Sequence, residues 1–152
     1  MLYYKSCQET FEEVPFEISL SLGISSCPNH CQGCSSPWLQ ECGGIPLTID
    51  ELSTLINKYP FITCVTFLGG DYNLDYLKLL LFKCQNLHKK TCLYTGATHV
   101  DESIYMYLDY LKLGPWIESK GPLSSPTTNQ KFYQIVNGEL IDKTFIFQNK
   151  NF

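Results

Sequence analysis

Phe16-Glu17-Ile18-Ser19-Leu20-Ser21-Leu22 alternates apolar and polar residues with period two, which predicts a strand. Gly23 and Ser25-Ser26 release the chain from it, and Pro37-Trp38-Leu39 and Gly43-Gly44 read as irregular connection. Thr48-Ile49-Asp50-Glu51 is a capping box, with Thr48 as cap and Glu51 answering three residues later. Ile49, Leu52, Leu55, Ile56 and Tyr59 then keep helical spacing until Pro60 stops it. The run Phe61 to Leu68 is β-branched and aromatic without polar alternation, as expected of a strand buried on both faces in a parallel sheet. Past Gly69-Gly70-Asp71, Leu74, Leu77, Leu80 and Leu81 mark one side of a helix that extends to Cys84.

Thr91 to Thr95 reads as a third strand closed by Gly96, and Ile104, Leu108 and Leu111 predict a helix that starts near Asp101 or Ser103. Strand and helix alternating in this order indicate an α/β fold with right-handed crossovers and a parallel sheet. Leu111 to Ile117 can supply a fourth strand, and Gly121 to Gln130, rich in Ser, Thr and Pro, reads as a loop. Lys131–Val136 and Lys143–Gln148 are expected to form a C-terminal β hairpin about Asn137-Gly138. With no internal repeat or low-complexity segment, the chain is expected to be one domain over residues 1–152. Its core would span about residues 16–117, followed by the C-terminal loop and strands, 118–152.

Composition adds limits. At 152 residues, 44% hydrophobic and 17% charged, the chain is long enough to bury a core. A net charge of −4 from 11 basic and 15 acidic residues, without a long basic run, argues against nucleic acid or an anionic membrane as the main partner. No apolar run approaches the roughly 20 residues needed to cross a bilayer, and the first residues lack an apolar signal core. A reduced, cytoplasmic setting is therefore expected, in which closely spaced cysteines serve metals or redox chemistry more often than disulfides. Of the eight cysteines, Cys64, Cys84 and Cys92 lie in apolar segments and are expected in the core, whereas the sequence assigns no role to Cys7 or Cys42.

The candidate chemistry begins at Cys27-Pro28-Asn29-His30-Cys31-Gln32-Gly33-Cys34. Three thiols at C-x3-C-x2-C spacing on one short loop can converge on one metal centre. Iron–sulfur clusters use such thiolates, usually four, so three would leave one iron open. The same residues admit two other readings. One is a zinc knot with His30 or Cys42 as fourth ligand. The other is a Cys31/Cys34 redox pair. In a parallel α/β sheet, ligands collect beyond the carboxyl ends of the strands. That would gather the cysteine loop, Gly69-Gly70-Asp71 and Thr95-Gly96 on one rim, although Gly69-Gly70-Asp71 taken alone is an ordinary strand-to-helix turn. His88 and His99 stand alone and are expected at the surface, and no Ser/His/Asp set or phosphate loop is present.

The cysteine spacing, with Gly before the last Cys, resembles the cluster loop of radical S-adenosylmethionine (SAM) enzymes, and more closely that of the activating proteins of anaerobic ribonucleoside-triphosphate reductases. Cys34-Ser35-Ser36-Pro37-Trp38 with Gly43-Gly44, the Tyr94-Thr95-Gly96 strand end, Asp109 to Trp116 and Thr127 to Gln130 resemble further segments of that subfamily. Gly69-Gly70-Asp71 is similar to the family's Gly-Gly-Glu motif, with Asp in place of Glu. Gly33 stands where many members carry an aromatic.

The resemblance implies an open partial (β/α) barrel of parallel strands, a single radical SAM domain. It also implies a 4Fe-4S cluster on Cys27, Cys31 and Cys34, with SAM held near Gly69, Gly70, Asp71, Thr95 and Gly96. Reductive cleavage of SAM would yield a 5′-deoxyadenosyl radical that takes a hydrogen from a glycine of the partner reductase. A low-potential electron donor such as flavodoxin or ferredoxin is implied, and a homodimer is left open. The alternatives are another small radical SAM enzyme acting on a peptide, a zinc-binding interaction module, and a dithiol oxidoreductase.

Overall fold

The computed structural model describes residues 1–25 and 43–148. Its centre is a sheet of eight strands in the order β3-β1-β2-β4-β5-β6-β7-β8. The strands are β1 (Tyr3–Thr10), β2 (Ser19–Ile24), β3 (Ile45–Pro46), β4 (Cys64–Leu68), β5 (Lys90–Tyr94), β6 (Tyr110–Leu113), β7 (Lys131–Val136) and β8 (Glu139–Asp142). The four central strands, β2, β4, β5 and β6, run parallel, and the flanking pairs are antiparallel. Among the described residues β3 and β8 form the two edges, so the sheet is open and not a closed barrel. The expected α/β class holds, as a mixed sheet that is parallel in its middle.

One face carries the two longer helices. Helix α1 (Ile49–Lys58) starts where the capping box predicts, with the Glu51 N–H donating to Thr48 Oγ1 at 3.0 Å. It buries Leu52, Leu55 and Ile56, and α2 (Leu74–Asn86) buries Leu77, Leu80, Leu81 and Cys84. These side chains form one core with Leu20, Leu22, Val65, Phe67, Leu93 and Leu111 from the parallel strands. The opposite face holds a smaller cluster of Val14, Cys64, Cys92, Leu123 and Phe132, with Tyr94, Tyr110 and Phe147 packed against it. Phe147 comes from a last short helix, α3 (Phe145–Gln148). No helix among the described residues is long and apolar enough to cross a membrane.

Several elements depart from the periodicity. The β1 strand was not anticipated, since Tyr3–Thr10 mixes polar, charged and aromatic residues; it is held by antiparallel pairing with β2. The first predicted strand starts later, at Ser19, because Val14–Glu17 turns (Glu17 N–H to Val14 O, 3.2 Å) and Phe16 takes φ 68°. Its polar residues are not solvated either. Ser19 and Ser21 are buried, with Ser21 Oγ 2.7 Å from Thr10 Oγ1.

The helix expected through Ile104, Leu108 and Leu111 is instead a 3-10 turn, Glu102–Tyr107, capped by Asp101, followed by β6. All three apolar residues are buried, so their spacing marked burial and not a helical period. What draws the chain into the ladder is Asp109. Its N–H donates to Thr91 O at 3.0 Å, and its Oδ2 accepts from the Thr91 N–H at 3.0 Å.

The C-terminal hairpin forms about Asn137 (φ 53°) and Gly138 (φ 80°), both in the positive-φ region that a tight two-residue turn requires. The return strand is therefore Glu139–Asp142, directly after the turn. The expected second strand at 143–148 is replaced by α3.

Candidate functional site at the strand-end rim

The parallel strands β2, β4, β5 and β6 end on the same side of the sheet, at Ile24, Leu68, Tyr94 and Leu113. Gly69 and Gly70 follow β4 with φ 99° and 104°. A Cβ on Gly70 would sit 3.2 Å from Leu2 Cδ1 and 3.7 Å from two Ile24 side-chain carbons, a tight fit that adds to the preference for glycine set by its positive φ. The turn thus lies directly against Ile24, near the start of the stretch that carries the three clustered thiols.

Hydrogen bonds stitch the strand ends together. The Gly69 N–H donates to Tyr94 O at 2.9 Å, and the Thr95 N–H donates to Lys112 O at 3.0 Å. The Thr95 hydroxyl donates to Asp71 Oδ2 at 2.8 Å and accepts from the Ala97 N–H at 3.1 Å. Beyond β6, the Gly114 N–H donates to Ala97 O at 2.8 Å, and Lys112 Nζ donates to Gly114 O at 2.9 Å while lying over the Tyr94 ring. Of the sequence-predicted site residues, Gly69, Gly70, Asp71, Thr95 and Gly96 therefore fall on one rim.

Cys27, Cys31 and Cys34 lie outside the described residues, as do His30, Trp38 and Cys42. The two ends of that stretch can be located. The Ser25 N–H donates to Tyr3 O at 2.9 Å, and Tyr72, just after the Gly69-Gly70-Asp71 turn, donates its hydroxyl to Ser25 O at 2.8 Å. On the return, β3 pairs Ile45 with Tyr4, and a Cβ on Gly44 would lie 2.5 Å from Tyr4 O, a contact only glycine permits. Both ends of the 26–42 stretch are thus moored to the start of β1, beside the rim. Tyr3, Tyr4 and Tyr72 were not singled out from sequence; the unanticipated strand β1 and one tyrosine in a turn carry no periodic signal.

The segments that resemble the reductase activators divide. Asp109 stands at the beginning of β6, away from the rim, where it ties β6 to Thr91. Thr127 to Gln130 does reach the rim, because β7 starts at Lys131 opposite Leu113 and Asn129 Nδ2 donates to Pro115 O at 3.0 Å. Asn129 Oδ1 and Trp116 Nε1 are buried there without a hydrogen-bond partner among the described residues.

Cys64, Cys84 and Cys92 are fully buried, as expected of core residues. Burial pushes the Cys64 thiol up to about 12 and raises Cys84 and Cys92 as well, the latter well above the ordinary value. Cys7 is half-buried on β1, and its thiol is also raised by burial, with Lys58 opposing. His88 and His99 are exposed. Among the described residues no group of three His, Cys, Asp or Glu side chains is placed to hold a metal ion. No protein-family model, curated protein or solved structure matches this chain.

Proposed function

We propose that this chain is a radical SAM activase that generates a glycyl radical on an anaerobic ribonucleoside-triphosphate reductase. In this reading the open sheet corresponds to the partial barrel of that family. One observation carries it: Gly69-Gly70, Thr95-Gly96 and both ends of the cysteine-bearing stretch converge on one rim, the arrangement the motif resemblance requires. The residues present fit the implied groups. Three closely spaced thiols suit an iron–sulfur cluster with one open iron, and the side-chain-free Gly69-Gly70 backbone packs against Ile24 at the entrance to that stretch.

Cys27, Cys31 and Cys34 would hold the 4Fe-4S cluster, which, given an electron by the low-potential donor, would supply the one-electron reduction that splits SAM with methionine as leaving group and so drives hydrogen abstraction from a glycine of the reductase. The chain's own residues bind and orient. Gly69 and Gly70 offer backbone to the methionine end of SAM, and Asp71, Thr95 and Gly96 lie beside them on the rim. Such chemistry must exclude water, and Thr127 to Gln130 beside Gly114 offers a surface on which a large protein substrate can close the rim. The setting is proposed as cytoplasmic, with flavodoxin or ferredoxin as the class of electron donor.

The test is to reconstitute the protein anaerobically with iron and sulfide, reduce it, add SAM and a reductase from the same source, and record the electron paramagnetic resonance spectrum. A glycyl doublet on the reductase is expected. A protein that takes up zinc and never iron, or that converts a small molecule efficiently without a partner, overturns the proposal.

A further inference from the structure

We infer that Asp71 and Thr95 are positioning residues that lock the Gly69-Gly70 turn, with the Thr95 hydroxyl spent on that tie and not a donor to the ligand. The inference rests on the reading that this rim holds SAM. Thr95 is 3% exposed, and its hydroxyl is already committed. Its proton goes to Asp71 Oδ2 at 2.8 Å, and its oxygen accepts the Ala97 N–H at 3.1 Å. A hydroxyl has one proton to donate, so Thr95 has none left for a bound molecule while this pair is intact.

The Asp71 carboxylate is correspondingly turned toward the neighbouring strand end. Gly70 is thereby bracketed. On one side the Gly69 N–H is fixed to Tyr94 O at 2.9 Å, and on the other Asp71 is fixed to Thr95. Thr95 is in turn anchored to β6 through its N–H to Lys112 O at 3.0 Å.

The energetic role follows from glycine's freedom: an untied Gly69-Gly70 pair samples many backbone states. Apparent affinity then falls in proportion to the fraction that is binding-competent.

The experiment compares Asp71→Ala, Thr95→Val, the double variant and Thr95→Ser. Two readouts are taken: SAM affinity of the cluster-loaded protein, and amide hydrogen exchange at Gly69 and Ala97 without cluster or SAM. Each single variant is expected to weaken SAM binding about tenfold, the loss of one charge-assisted bond. The double variant should be no weaker than either single one, because both remove the same tie. Thr95→Ser should restore affinity, and exchange should quicken in both single variants with iron content unchanged.

If Asp71→Ala weakens SAM binding while Thr95→Val does not, or if the two losses multiply, Asp71 acts on the ligand and the inference fails. Unchanged exchange in both single variants also overturns it. If the wild-type protein loads a cluster but binds no SAM, the functional reading fails separately, and the exchange data still decide whether the tie exists.

Discussion

Replacing the cysteines one at a time tests the proposed cluster ligands against the core cysteines. Cys64 and Cys92 lie on adjacent parallel strands and, like Cys84 on α2, are fully buried. Cys→Ala at such a site removes one sulfur, close to one methylene in size. The expected cost is about 1–2 kcal/mol from lost transfer energy and a small cavity. For a chain of this length that is a fall of roughly 2–8 °C in Tm.

Iron and sulfide per chain should stay at the wild-type level in Cys64→Ala, Cys84→Ala and Cys92→Ala. On the proposed reading they should collapse in Cys27→Ala, Cys31→Ala and Cys34→Ala. Thiol labelling gives an independent check. With its pKa pushed up to about 12 from the ordinary 9.0, Cys64 has about 3 × 10⁻⁵ of its thiol ionised at pH 7.5, against about 0.03 for an ordinary thiol. Labelling of native Cys64 should therefore be slower by about three orders of magnitude even before steric exclusion is counted. Loss of iron from Cys64→Ala or Cys92→Ala as complete as from Cys31→Ala would refute the assignment.

The buried thiols also set a pH dependence. The folded state holds Cys64, Cys84 and Cys92 protonated above the ordinary value of 9.0, whereas the unfolded chain releases those protons. Their stabilisation is thus complete below that value and declines as pH rises through the window toward about 12, the Cys64 value. Each contributes a slope of about 1.4 kcal/mol per pH unit there. Urea midpoints under reducing conditions should fall steeply between pH 9 and 10, and a flat profile would refute the burial argument. Gly70→Ala should cost about 1–3 kcal/mol from positive-φ strain, sharpened by the 3.2 Å approach to Leu2 Cδ1. Gly138→Ala, at φ 80° with open space around it, should suffer the strain without the contact. Equal thermal shifts in the two would show that the Leu2 contact is relieved at no cost.

Local chemistry was enough for some features of this protein. The α1 cap, the stop before Pro60, the two-faced burial of β4, the Leu-rich side of α2 and the Asn137-Gly138 turn all follow from bonds or sterics within a few residues. The three clustered thiols and the two glycines after β4 stand out for the same reason, as spacing visible within a few residues of sequence.

What needed the folded chain was everything decided by a distant partner. Tyr3–Thr10 becomes a strand because β2 is there to pair with it. Leu111 leaves its helical spacing because Asp109 finds Thr91 across the gap between β5 and β6. Asp71 reaches Thr95, 24 residues away, because β4 and β5 lie side by side and in register. A hydrogen bond between strand ends has no period along the chain, so the tie at the rim becomes legible only once the sheet has brought its two halves together.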